Sequence, residues 1–132
     1  MEYNNIHELI SKVIAKSDEA LLSAEFNFSN KHYETCQNRL YYAIFYIVSA
    51  LAYKDNFITS KHAQLMGWFN KKYIYDEKIF DSKLFAIYKE VFEGRQKSDY
   101  DFMYLIDEKD IYAMIEDVKL FINEVKNYLE QV

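Results

Sequence analysis

The sequence predicts an all-α fold: a single domain over residues 1–132, an antiparallel bundle of about five helices around a four-helix core. Three observations lead there. The chain has no proline and only two glycines, so most of the punctuation that separates short strands is missing. Half of it is hydrophobic, with 13 Tyr and 10 Phe, which is enough for a packed core and far too apolar for a disordered chain. Finally, the apolar residues recur at i, i+3, i+4 and i+7, the spacing of one helix face.

Residues 5–28 form the first expected helix, with Ile6, Leu9, Ile10, Val13, Ser17, Ala20, Leu21, Ala24 and Phe28 on its inner stripe. Ser29-Asn30 breaks it. A second helix over 31–54 presents Tyr33, Leu40, Ala43, Ile44, Ile47 and Leu51 on one side. Tyr41, Tyr42, Phe45 and Tyr46 extend its apolar surface nearly all the way round, which predicts a central position. The polar Lys54-Asp55-Asn56 ends it. Thr59 or Ser60 is the expected N-cap of a third helix over about 60–73. Asp81 or Ser82 can cap a fourth, in which Leu84, Ile87, Tyr88 and Val91 face inward. Asp107 can cap a fifth over about 108–130, with a regular stripe from Ile111 to Leu129.

Charge and composition narrow the function classes. The formal net charge is −5. Residues 1–75 carry 8 basic against 7 acidic side chains, and residues 76–132 carry 8 against 14. No basic stripe is present, which argues against broad phosphate-driven binding of nucleic acid and leaves room for a small, specific site. One cysteine, Cys36, cannot make an internal disulfide and fits a reducing, cytoplasmic compartment. The opening MEYNNIHELI does not follow the basic-then-apolar plan of a secretory signal. The longest apolar run, Tyr41 to Tyr53, is too short for a membrane span, so no membrane partner is expected.

The candidate site is centred on the fourth helix. Counting onward from Val91 along the inner face reaches Arg95 and then Asp99, a charged pair where the pattern calls for core. A buried guanidinium needs a partner, and Asp99 one turn on can supply it. Gly94 costs about 1 kcal/mol in a helix interior relative to alanine. It therefore suggests a close approach by another backbone or a ligand. Asn38 and Arg39 interrupt the most apolar helix. Asn38 either satisfies polar groups of the core or, with Arg39 and Tyr42, belongs to a ligand site in which Arg39 and Arg95 clamp a phosphate. His62 falls in the first turn of the third helix, where the macrodipole disfavours imidazolium and keeps the ring neutral. His7 and His32 belong to no recognised metal-binding motif, and neither a metal site nor a cofactor is expected.

Asn38-Arg39-Leu40-Tyr41-Tyr42-Ala43-Ile44-Phe45, followed by Lys61-His62 and by Arg95 through Tyr100, resembles the HEPN domain. The likeness is to small HEPN proteins with an NRxYYAxF second helix and an RxxxDY fourth helix, and it covers nearly the whole chain. It implies an antiparallel bundle that dimerises through the face carrying the arginine motif. It also implies a possible minimal nucleotidyltransferase partner in a toxin–antitoxin or defence pair. Catalytic members of the family are metal-independent ribonucleases with a histidine four to six residues after the arginine. Those positions are occupied here by Asp99, Tyr100 and Asp101.

Metal-free RNA cleavage needs a base for the 2′-hydroxyl, an acid for the leaving oxygen and positive charge for the phosphorane. Arg95 can supply the charge. Asp99, with an ordinary pKa of about 3.9, is a weak base, and Tyr100, at about 10, can act as an acid. The expected function is therefore a HEPN-type protein that binds RNA, a nucleotide or a nucleotidyltransferase partner at an Arg95-centred dimer cleft, with an altered nuclease site. One alternative is an active ribonuclease using Arg95 with Asp99, Tyr100 or His62. Another is a purely structural helical module. Modification of Tyr100 or Tyr104 is left open.

Overall fold

The computed structural model describes the backbone of residues 3–132 and the side chains of residues 5–132; Met1 and Glu2, part of the expected 1–132 domain, lie outside it. The elements are α1 (Tyr3–Ser29), α2 (Tyr33–Lys54), α3 (His62–Phe69) with a π-helical continuation (Asn70–Asp76), α4 (Ser82–Tyr100) and α5 (Glu108–Gln131). No strand occurs among the described residues, and the all-α bundle is the fold the periodicity requires.

Contacts between helices fix their directions. Ser17 Oγ donates to the Ala43 carbonyl at 2.7 Å, while Phe28 lies against Tyr33, so α1 and α2 run antiparallel. Asp18 pairs with Lys126 and Glu25 with Lys119, which makes α1 and α5 antiparallel as well. Arg95 lies over Tyr41 while Ser98, further along α4, bonds Gln37, earlier on α2; that pair is also antiparallel. α2 packs against α1, α3, α4 and α5, the central position its all-round apolar surface predicts. Its Leu40, Tyr41, Ile44, Ile47 and Leu51 are fully buried. Each such side chain stabilises the fold by about 1.5–3 kcal/mol through removal from water.

The connections follow local chemistry. Lys31 (φ 61°) and Asn56 (φ 58°) take the left-handed conformation just after α1 and α2, where the polar breaks stand in the sequence. Asp81 and Asp107 cap α4 and α5, each accepting the N–H two residues on at 2.8 Å.

The third helix departs from expectation at both ends. Neither Thr59 nor Ser60 is its cap: Lys61 holds that position without a side-chain bond. The Thr59 hydroxyl is engaged one step earlier, accepting from Lys61 N at 3.1 Å and bonding the Gln64 side chain, so the helix begins at His62. At its far end the α-helix stops at Phe69 rather than 73. Wider i→i+5 bonding, seen in Glu77 N to Lys72 O at 3.0 Å, carries the chain on. This winding keeps residues four apart nearly aligned, and both Phe69 and Tyr73 fall into the core. The Tyr73 hydroxyl donates to Asp55, which also receives Lys54 Nζ at 3.0 Å and Lys72 Nζ at 3.3 Å.

Candidate functional site

Gly94 allows the site to form. A Cβ placed there would lie 2.2 Å from Gln37 Nε2, so the missing methyl is the space that the Gln37 amide fills. Gln37 is 1% exposed, and its Oε1 accepts the Ser98 hydroxyl. The close approach inferred from Gly94 is thus made by a side chain of α2 rather than by a backbone or a ligand. It pins α4 against α2 in one register.

One residue further round α4, Arg95 extends over the rings of Tyr41 and Tyr42, with its guanidinium carbon 5.2 and 5.4 Å from their centroids. Both are cation–π distances. Asp99 Oδ2 stands 3.4 Å from Arg95 Nε, near enough for charge attraction. The alignment is not that of a hydrogen bond, and Nε is buried without one. The ion pair counted out along the helix therefore exists, but it leaves the guanidinium's hydrogen-bonding capacity largely unused.

Arg39 also approaches one of these rings, its guanidinium carbon 5.0 Å from the Tyr42 centroid. Its Nε and a terminal nitrogen both donate to Asn38 Oδ1, at 3.1 and 2.9 Å. That partner is a neutral amide, and among the described residues no carboxylate lies within ion-pair distance of Arg39. Asn38 thus steers Arg39 rather than neutralising it. Two guanidinium groups, from α2 and α4, come within cation–π distance of one half-buried tyrosine.

His62 completes the cluster from α3. Its ring lies 4.4 Å from Phe45 and stacks at 5.7 Å on Tyr41, and its Nδ1 is 2.8 Å from the Tyr41 hydroxyl. Burial, and after it the Arg95 charge, holds the imidazole pKa below its ordinary 6.5. Burial likewise drives the Tyr41 pKa well above 10, outweighing the opposite pull of Arg95. Both groups are neutral at pH 7.

Asn38, Arg39, Tyr42, His62, Arg95 and Asp99 are therefore brought together. Tyr100 is not: it is 77% exposed, on a shallow hollow with Glu93, Gln96, Lys97 and Asp101, and touches none of the cluster. The cause is local, because Tyr100, five residues past Arg95, is turned about 140° away from it around the helix. Tyr104 lies beyond the helix under Lys97, whose Nζ is 6.0 Å above its ring. Cys36 is a fully buried core residue whose thiol pKa is pushed up to about 12 by burial. Among the described residues no group of His, Cys, Asp and Glu is arranged to hold a metal ion, and no helix is long and apolar enough to cross a membrane.

Two participants escaped the sequence reading. Tyr41 stands in the second-helix motif and on its apolar surface, but nothing local reveals where its hydroxyl points. Gln37 did leave a signal, since it precedes Leu40, Tyr41 and Ile44 on the inner stripe as a polar residue at a core position.

The fold and this cluster define a class: all-helical domains with a motif arginine set against an aromatic central helix. The chain belongs to the HEPN domain family, whose model matches residues 10–128. It is similar to two Methanocaldococcus jannaschii proteins, "Putative toxin MJ0142" and "Putative toxin MJ0605". The first is 28% identical over 120 residues, covering 91% of this chain and 81% of that protein. The second is 28% identical over 131 residues, covering 97% and 94%. A "UPF0332 protein" of Thermotoga maritima is 26% identical over 129 residues, covering 98% and 97%.

Proposed function

We propose that this chain is a toxin-type HEPN protein that binds a phosphate-bearing ligand, RNA or a nucleotide, between Arg39 and Arg95. The observation that carries the reading is the pair of guanidinium groups within cation–π distance of one ring, Tyr42, one steered by an amide and the other only loosely held by Asp99. Arginine forks match phosphate oxygens in charge and shape. An acidic chain with two arginines at one tyrosine suits one or two phosphates better than a long duplex. Two relatives that bear toxin names support placing it in a toxin–antitoxin or defence pair. A homodimer, and a minimal nucleotidyltransferase as partner, belong to the same reading.

The test is binding of a 5′-phosphorylated oligoribonucleotide and of ADP at low salt, by calorimetry. Arg39→Ala and Arg95→Ala are each expected to weaken binding about tenfold or more, the loss of a charge-assisted contact. Wild-type protein that binds neither ligand overturns the reading. Light scattering tests the dimer, for which a strictly monomeric protein is the adverse result.

A second reading, metal-independent RNA cleavage, is favoured by one observation: α3 brings His62 beside the same tyrosines as Arg95, where the motif itself lacks a histidine. Cleavage in EDTA that disappears in Arg95→Ala supports it. Equal activity in both proteins identifies a contaminant and removes it.

A further inference from the structure

The Tyr41–His62 hydrogen bond has a direction, and the direction decides what His62 offers a ligand. A neutral imidazole carries one proton, on either Nδ1 or Nε2, and the nitrogen without it is an acceptor. If Nδ1–H donated to Tyr41, the tyrosine's own O–H would be left over. Tyr41 is 0% exposed and its hydroxyl has no other partner among the described residues, so that proton would be stranded in the core. A buried donor without an acceptor costs about 1–3 kcal/mol. In the opposite direction Tyr41 O–H donates to Nδ1, and both the hydroxyl proton and the Nδ1 lone pair are satisfied. The imidazole proton then sits on Nε2.

The two ring nitrogens point in nearly opposite directions, so fixing Nδ1 on a buried tyrosine turns Nε2 outward. His62 is half-buried, and Nε2 is the ring nitrogen that Tyr41 leaves free for a ligand. The groups facing the ring are Tyr41, Tyr42 and Phe45 of α2 and the Arg95 guanidinium of α4. Among the described residues no carboxylate pairs with it.

We propose that Tyr41 is a positioning residue that holds His62 as the neutral Nε2–H tautomer, making it a third hydrogen-bond donor, beside Arg39 and Arg95, for the bound phosphate. The donor role rests on the phosphate-binding reading given above; the tautomer does not. In this arrangement the resting histidine offers an N–H for hydrogen bonding, and its one basic nitrogen, Nδ1, is taken up by the Tyr41 hydroxyl.

The tautomer is read from the imidazole 15N resonances of the full-length protein at pH 7. The expected wild-type pattern is a protonated Nε2 and an unprotonated Nδ1 whose shift is displaced by an accepted hydrogen bond. Tyr41→Phe is expected to abolish that displacement and raise the His62 pKa by about half a unit to one unit, because a hydrogen bond to the neutral form has been lost. A protonated Nδ1 in wild type overturns the proposal, and that spectrum decides it even if Tyr41→Phe fails to fold. The donor role is read separately, with the phosphorylated oligoribonucleotide. His62→Ala is expected to bind about tenfold more weakly, and His62→Gln, which keeps an N–H, to recover part of the loss. Undiminished binding by His62→Ala overturns the donor role. Absence of binding by wild type sinks the phosphate-binding reading, while the spectrum still decides the tautomer.

Discussion

Replacing Gly94 by alanine tests the packing that seats the site. In an ordinary helix interior this change stabilises by about 1 kcal/mol, through backbone propensity. Here the added Cβ would lie 2.2 Å from Gln37 Nε2 and 3.1 Å from its Cδ. The clashing atom ends a flexible side chain, so in principle it could swing aside. That side chain is, however, 1% exposed and bonded to Ser98, and moving it means losing the bond and finding space in a filled core. Overpacking costs roughly 1–3 kcal/mol and the lost hydrogen bond about 1 kcal/mol. After the propensity gain, Gly94→Ala should destabilise by roughly 1–3 kcal/mol. At about 2.1 cal/mol/K of unfolding entropy per residue, 1 kcal/mol moves the Tm of a chain this size by roughly 4 °C. A fall of about 4–10 °C in a circular-dichroism melt is expected. In a Gln37→Ala background the obstacle is gone, and the same substitution should be neutral or stabilising. A Gly94→Ala protein more stable than wild type, or strictly additive effects in the double-mutant cycle, would refute the reasoning.

Other outcomes follow from the same contacts. Asp55 has a pKa below its ordinary 3.8 although burial pushes it upward, because the bonds from Tyr73, Lys54 and Lys72 together outweigh burial. A depressed folded pKa gives stability that is present above the unfolded value and lost as pH falls through the folded one. Urea melts should therefore show wild type losing stability below about pH 4, and Asp55→Asn should lose less over that range while being weaker at pH 7. Ser17→Ala removes a buried hydroxyl that donates to the Ala43 carbonyl at 2.7 Å; a loss of about 1 kcal/mol in chemical denaturation is expected. Arg95→Ala removes a cation that helps hold down the His62 pKa, so the His62 NMR titration should move to higher pH. An unchanged midpoint would mean that the guanidinium does not reach the ring.

The helices were legible because their signals are local. A 3.6-residue stripe, an aspartate at a cap and a polar break after Lys54 each act within a turn or two of chain. The Arg95–Asp99 pairing was legible for the same reason, being one turn of α4. Where a local signal had a competitor it misled: Thr59 is a good capping residue, but Gln64 and Lys61 engage its hydroxyl first. The motif position and hydroxyl of Tyr100 suit an acid beside Arg95, but the helix turns that side chain away from the cluster.

By itself the amino-acid sequence determined an all-helical bundle, a central α2 and an arginine on an inward face of α4. The tertiary structure alone decided what that arginine meets. Gln37 and Ser98 are 61 residues apart, Tyr41 and His62 are 21 apart, and Arg39 and Arg95 come from different helices to one ring. Periodicity says which face of a helix is buried, but not which atom of the neighbouring helix lies opposite. That is set by register and rotamer, which exist only once the helices have packed.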